Sequence, residues 1–260
     1  MSAVTLDAPT PNAAGDAQRR PGLGRLTRVE LRKMVDTRAG FWLQATTALL
    51  TVVAVIVVVA AGSASDHEFG QMLAVATAPA SVLLPVIGIL LVTSEWTQRT
   101  TLVTFSLVPQ RARVLVAKLL AGVLLALAAT AIAIVVAAIG TLTAGSGADG
   151  VWSHAAPLIG QTVVSMVTAM IIGIGFGAAL LISAPAIVLY FAVPMVFAIL
   201  GEFSWFRDVA EWTDLTRTTG TMPSELLSGG EWGRALVSLA LWMGIPLALG
   251  WWRVSKDEVK

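Results

Sequence analysis

The sequence predicts an all-α integral membrane protein with six spans, and three observations predict it. Of 260 residues, 56% are hydrophobic and only 13% charged, with mean hydropathy +0.80; a soluble domain carries about 25% charged residues. Six apolar runs approach or exceed the roughly 20 residues with which a helix crosses about 30 Å of hydrocarbon. Lysine and arginine crowd into alternate links, the pattern left when short basic loops stay in the cytoplasm.

The elements follow in order. Residues 1–22 hold no apolar core and are expected to be a disordered cytoplasmic tail, not a secretory signal peptide. In 23–38, at 100° per residue, Leu23, Leu26, Leu31 and Met34 share one arc, with Arg25, Arg28 and Arg32 opposite. Such a helix suits the membrane interface, its arginines toward anionic headgroups. It suits a plain basic topological anchor equally well. The spans are expected at 41–61, 71–93, 119–143, 158–182, 184–200 and 233–252 within a 39–252 membrane domain, with a basic tail at 253–260.

Seven bases precede the first span, Arg19, Arg20, Arg25, Arg28, Arg32, Lys33 and Arg38; four more, Arg99, Arg111, Arg113 and Lys118, follow the second. Arg253, Lys256 and Lys260 follow the last. The links GSASDHEFG and AGSGADGVWSHAAP have none. Only Arg207, Arg217 and Arg234 fall on the other side, among six acids from Glu202 to Glu231, so both termini are expected inside, and 201–232 outside. In that outer segment Trp205, Phe206, Val209 and Trp212 fall on one helical arc, with Asp208, Glu211 and Asp214 opposite. That pattern predicts an interfacial helix, where tryptophan is favoured. A short second helix is expected from Pro223 and Glu225, ending at Gly229-Gly230.

Several chemistries are excluded or disfavoured. Without cysteine there is no disulfide, thiolate site or cysteine nucleophile. None of the four lysines follows a glycine, so the chain has no phosphate-cradling GK[ST] loop. The run 173-GIGFG-177 lies inside an apolar span, where Ala169, Gly173 and Gly177 make a small-residue packing face. His67 sits beside Asp66 and Glu68, but three consecutive residues cannot all face one ion, so no metal site is expected. Ser165 and Ser238 are isolated hydroxyls, expected to bond to their own helix backbones. No nucleophile pairs with a base inside a span, so the chain is not expected to be an enzyme. The near-neutral net charge of +1 carries no sign of nucleic-acid binding.

Taken together these residues resemble the permease subunits of ABC-2-type transporters. The elbow signature is Val29-Glu30-Leu31-Arg32-Lys33 with Arg25 and Arg28 before it. The first cytoplasmic loop, 94–113, matches in Glu95, Trp96, Arg99, Thr101, Leu102, Pro109 and Arg113, followed by Lys118. Thr100 stands where the family often has glycine, and the link Leu181-Ile182-Ser183-Ala184-Pro185 lacks the family's frequent basic or amide residue. The resemblance implies a type V exporter fold in a bacterial plasma membrane. It also implies a coupling helix that docks on a separate ATP-binding subunit, present in two copies, through Glu95, Arg99, Thr101, Leu102, Phe105 and Arg113. This chain then binds no cofactor; ATP and Mg²⁺ belong to that partner. A second permease, identical or a sister, completes the path, and 201–232 closes it on the outside at Trp205, Phe206 and Trp212.

Helical spacing makes Gln44 and Thr47, and Gln161, Ser165 and Thr168, candidate pathway residues. They serve equally as hydrogen-bonding groups within one subunit. The spans hold essentially no ionisable group, which suits an apolar or amphipathic cargo better than ion coupling. The competing reading is an ATP-independent channel or secondary transporter for a small apolar solute.

Overall fold

A computed structural model describes residues 22–97, 111–144 and 150–256. Its regular elements are all helical: α1 (Leu23–Asp36), α2 (Arg38–Ala61), α3 (Phe69–Thr97), α4 (Arg111–Ala144), α5 (Ala155–Leu180), α6 (Ser183–Leu200), α7 (Arg207–Thr213), α8 (Leu215–Thr219) and α9 (Gly229–Lys256), with a 3₁₀ turn at Ala64–His67. Six of them, α2 to α6 and α9, are long and apolar enough to cross a membrane. The chain is a multi-pass membrane protein.

Two boundaries differ from the sequence expectation. The third span does not begin after Lys118 but at Ala112, leaving Lys118 two turns inside an apolar helix. A lone ammonium there is costly; the fold supplies partners. In the outer segment, 220–228 is not helical, and Gly229 and Gly230 open α9 instead of closing a short helix.

The centre of the bundle is α5, packed on α3 along one side and α9 along another. Its glycines make this possible. A Cβ at Gly173 would run into the backbone of Pro85, and one at Gly177 would lie 2.9 Å from Ile89 O. On the other side a Cβ at Gly175 would sit 3.0 Å from Pro246 Cβ. The 173–177 run therefore admits the two proline-bearing helices α3 and α9 at close range, the use expected of small residues where helices pack in lipid. Met166, Met170 and Ile174 fill the space beside Leu84, Ile87 and Leu91. By contrast α2 and α6 are largely uncovered, with Trp42, Ile56, Val188 and Met195 exposed, as suits lipid-facing helices.

The helices alternate in direction, so basic α1, Glu95, Lys118 and Arg253 gather at one end. Arg217 and Arg234 lie at the other, paired with Glu202 at 3.2 Å and Glu211 at 3.4 Å. Asp66 also lies at this second end. It accepts from Ser63 Oγ at 2.7 Å and Ser63 N at 2.8 Å, and these bonds hold its carboxyl below the usual range. His67 Nε2 lies 3.2 Å from Val58 O, so neighbours in sequence engage different partners.

Candidate functional site

The base-rich end holds the most unusual chemistry. Three helices bring Glu30 (α1), Lys33 (α1), Glu95 (α3) and Lys118 (α4) together. Lys118 Nζ donates to Glu30 Oε2 at 2.6 Å and to Leu91 O at 3.0 Å, and lies 3.1 Å from Glu95 Oε1. Lys33 Nζ donates to Glu30 Oε1 at 2.8 Å and to Glu95 Oε1 at 2.6 Å. Glu30, Glu95 and Lys118 are buried, while Lys33 stays part-exposed. Burial pulls the Lys33 ammonium down, but the hydrogen bonds to Glu30 and Glu95 outweigh it and hold it above its ordinary value. Among the described residues two carboxylates meet two ammoniums, and that pairing offsets the cost of burying them.

Local structure explains the placement. Leu26, Thr27, Glu30, Leu31 and Met34 form the packed face of α1, Thr27 bonding Leu23 O at 3.0 Å. Leu23 is exposed, so the inner face differs from the arc of leucines read from the sequence; Arg25, Arg28 and Arg32 point outward as that arc requires. Thr37 breaks the helix in extended conformation and caps α2 through Gly40 N at 3.2 Å.

Glu95, expected to face a partner, is instead buried and paired inside the chain. Arg99, Thr101, Leu102 and Phe105 lie outside the described residues. Arg113 is half-buried near the start of α4. Glu95 thus stands just before the segment 98–110 and Lys118 two helical turns after it, and Glu30 with Lys33 joins both to α1.

The uncharged 181–185 turn also lies at this end. Leu181 takes a left-handed conformation (φ 59°), its N–H reaching Gly177 O, as helix C-termini do. Arg253 donates to Ala179 O at 2.8 Å, and the Thr93 and Ser183 hydroxyls meet at 2.7 Å.

The candidate pathway residues do not share one wall. Ser165 and Thr168 border a cavity of about 330 Å³ between α3, α5, α6 and α8. Gln44 and Thr47 border a separate pocket of about 100 Å³ with Leu84, Leu125 and Ile132. Gln161 lines neither. Its buried amide donates to Met222 O at 2.9 Å and Glu225 O at 2.8 Å and accepts from Leu227 N at 3.0 Å. It clamps the outer segment to α5. Ser238 bonds Thr213 O at 3.5 Å, beside Trp242 Nε1 at 2.7 Å, and not its own helix. The Ser165 hydroxyl makes no bond among the described residues.

Of the expected outer gate, Trp205 and Trp212 are exposed on and beside α7, and Phe206 packs edge-on to Phe197. Asp214, expected on the polar face of that helix, is buried. It caps α8 by accepting from Thr216 N at 2.9 Å and Arg217 N at 3.1 Å. Sequence reading missed it because capping needs the chain break between α7 and α8, which no periodicity marks. No protein-family model and no curated protein matches this chain.

Proposed function

We propose that this chain is the permease subunit of an ATP-driven exporter of the ABC-2 type in a bacterial plasma membrane, its termini cytoplasmic. It dimerises with a second permease, identical or a sister, and recruits two copies of a separate ATP-binding subunit, which hold the ATP and Mg²⁺. The observation that supports this most is the buried cluster of Glu30, Lys33, Glu95 and Lys118. It fastens the helices on both sides of segment 98–110 to α1. A docking element needs such rigid roots, so that a push on it moves α3 and α4 together.

In this reading Arg99, Thr101, Leu102 and Phe105 supply the contact with the ATPase. Glu95 acts by positioning the segment and not by touching the partner. Away from the cluster the spans are apolar and hydroxyl-bearing, which suits a hydrophobic or amphipathic cargo such as a drug-like compound, peptide or lipid. Trp205 and Trp212 rest at the outer interface.

The test is co-purification of the full chain from its native membrane, with ATP hydrolysis measured in the preparation. An ATPase should co-elute and be lost on Phe105→Ala, while the variant chain stays folded. A lone chain that passes ions or solute without ATP overturns the proposal in favour of a channel or secondary transporter.

A further inference from the structure

We propose that the cavity between α3, α5, α6 and α8 binds a neutral, membrane-dissolved amphipath with a single hydrogen-bonding head, in the class of a medium-chain alcohol, phenol or ester. Its volume of about 330 Å³ falls at the small end of ligand pockets. Among the described residues the lining carries no carboxylate, ammonium, guanidinium or imidazole. A charged head would enter uncompensated, which disfavours ions and charged lipids.

The hydroxyls around the cavity divide into two sets. Thr77 donates to Leu73 O, Ser81 to Ala78 O, Thr168 to Val164 O and Thr219 to Leu215 O, so their protons are already used within their helices. Ser165, Tyr190 and Thr216 border the same space, and their hydroxyls make no hydrogen bond among the described residues. Tyr190 is the telling member because it is only 8% exposed. Thr141 Oγ1 is the one fully enclosed, unpartnered side-chain oxygen or nitrogen among the described residues. The Tyr190 hydroxyl therefore keeps open surface, and Tyr190 lines this cavity. A hydroxyl with open surface and no protein partner is free to bond a ligand oxygen.

The remaining wall, including Ala78, Ala169, Ile172 and Leu239, is apolar and accepts a hydrocarbon tail. The roof is held in place rather than loose. Asp214 caps α8, and Gln161 fixes the chain that follows it. The site is thus preformed, which limits the ordering cost of binding. It does not depend on the ATP-driven reading, because binding is measured without any ATPase.

The experiment reconstitutes the full chain in phosphatidylcholine vesicles with a diazirine-bearing octanol, photolyses, and locates adducts by mass spectrometry. Saturable labelling should appear on α6 near Tyr190 and on α8. Tyr190→Phe should weaken half-saturation about fivefold, the loss of one neutral hydrogen bond. Ala169→Trp, which fills the cavity, should abolish labelling while the elution profile and melting remain native. Should Ala169→Trp fail to fold, Tyr190→Phe, which removes a single oxygen, decides alone. Competition by co-reconstituted diacylglycerol assigns the site to a bilayer lipid; competition only by a water-dispersed alkylphenol assigns it to a solute. Labelling that neither displaces, that spreads over α2 and the exposed α6 positions Val188 and Met195, or that is unchanged in Tyr190→Phe overturns the proposal.

Discussion

Lys118 Nζ lies 2.6 Å from Glu30 Oε2, both side chains about 5% exposed, across 88 residues of chain. The pair joins the amphipathic first helix to the interior of an apolar span. Removing one member of a buried charge network leaves its partner desolvated and unpaired, at a cost of roughly 3–5 kcal/mol.

Lys118→Ala should therefore destabilise the protein by about that amount, read as a lower melting temperature in detergent. Lys33→Ala should cost no more than about 1 kcal/mol, because Lys33 is part-exposed and solvent screens its contacts. The Lys33 contribution has a defined pH window. Its folded value is raised above 10.5, so its stabilisation is fully present below about pH 10.5 and is lost as pH rises through that higher value. Melting of the wild type relative to Lys33→Ala should thus be constant from pH 7 to 10. Equal losses for the two lysine variants would show that burial does not set the energetics of the cluster.

The glycine contacts of α5 give a paired test. At Gly173 any side chain meets the Pro85 backbone, whereas nothing lies within 4 Å of a Cβ at Gly160. Gly173→Val should destabilise by about 1–3 kcal/mol, as overpacking does. Gly160→Ala should be neutral or stabilise by up to about 1 kcal/mol, through helix propensity. Thermal unfolding of the two variants side by side checks the sign of each.

Gln161→Leu should free residues 222–227 by orphaning two carbonyls and one amide. Each buried orphan costs about 1–3 kcal/mol, offset where the freed segment reaches water. Hydrogen exchange at Leu227 should quicken well before exchange in α5 does. Unchanged exchange there would return Gln161 to the list of pathway residues.

Orientation is open to direct measurement, because the chain has no cysteine background. Single cysteines at Ser65, Gly147 and Thr219 should react with an impermeant maleimide on intact cells. Cysteines at Arg99 and Lys256 should react only after lysis. The reverse pattern would invert the topology.

Composition and spacing determined the class of this protein and the number of its spans. Twenty apolar residues in a row have few places to go, and that rule needs no tertiary information. The small-residue face at Gly173 and Gly177 was equally legible, since only close approach rewards glycine inside a helix. The crowding of bases into alternate links is likewise written in the sequence; in the fold α1, Lys118 and Arg253 gather at one end, while Arg217 and Arg234 lie at the other, paired with acids. What the sequence left undecided is which charges meet. Glu30, Glu95 and Lys118 read as three separate features, an elbow acid, a partner-facing carboxylate and a basic residue ending a loop, because the contacts that join them run from Lys118 back to Glu95 and, across 88 residues, to Glu30. The same holds for Gln161 and Asp214, whose hydrogen bonds need a folded outer segment to exist. Local patterns carry hydrophobicity and period; pairing of polar groups is decided by proximity, and only the tertiary structure sets that.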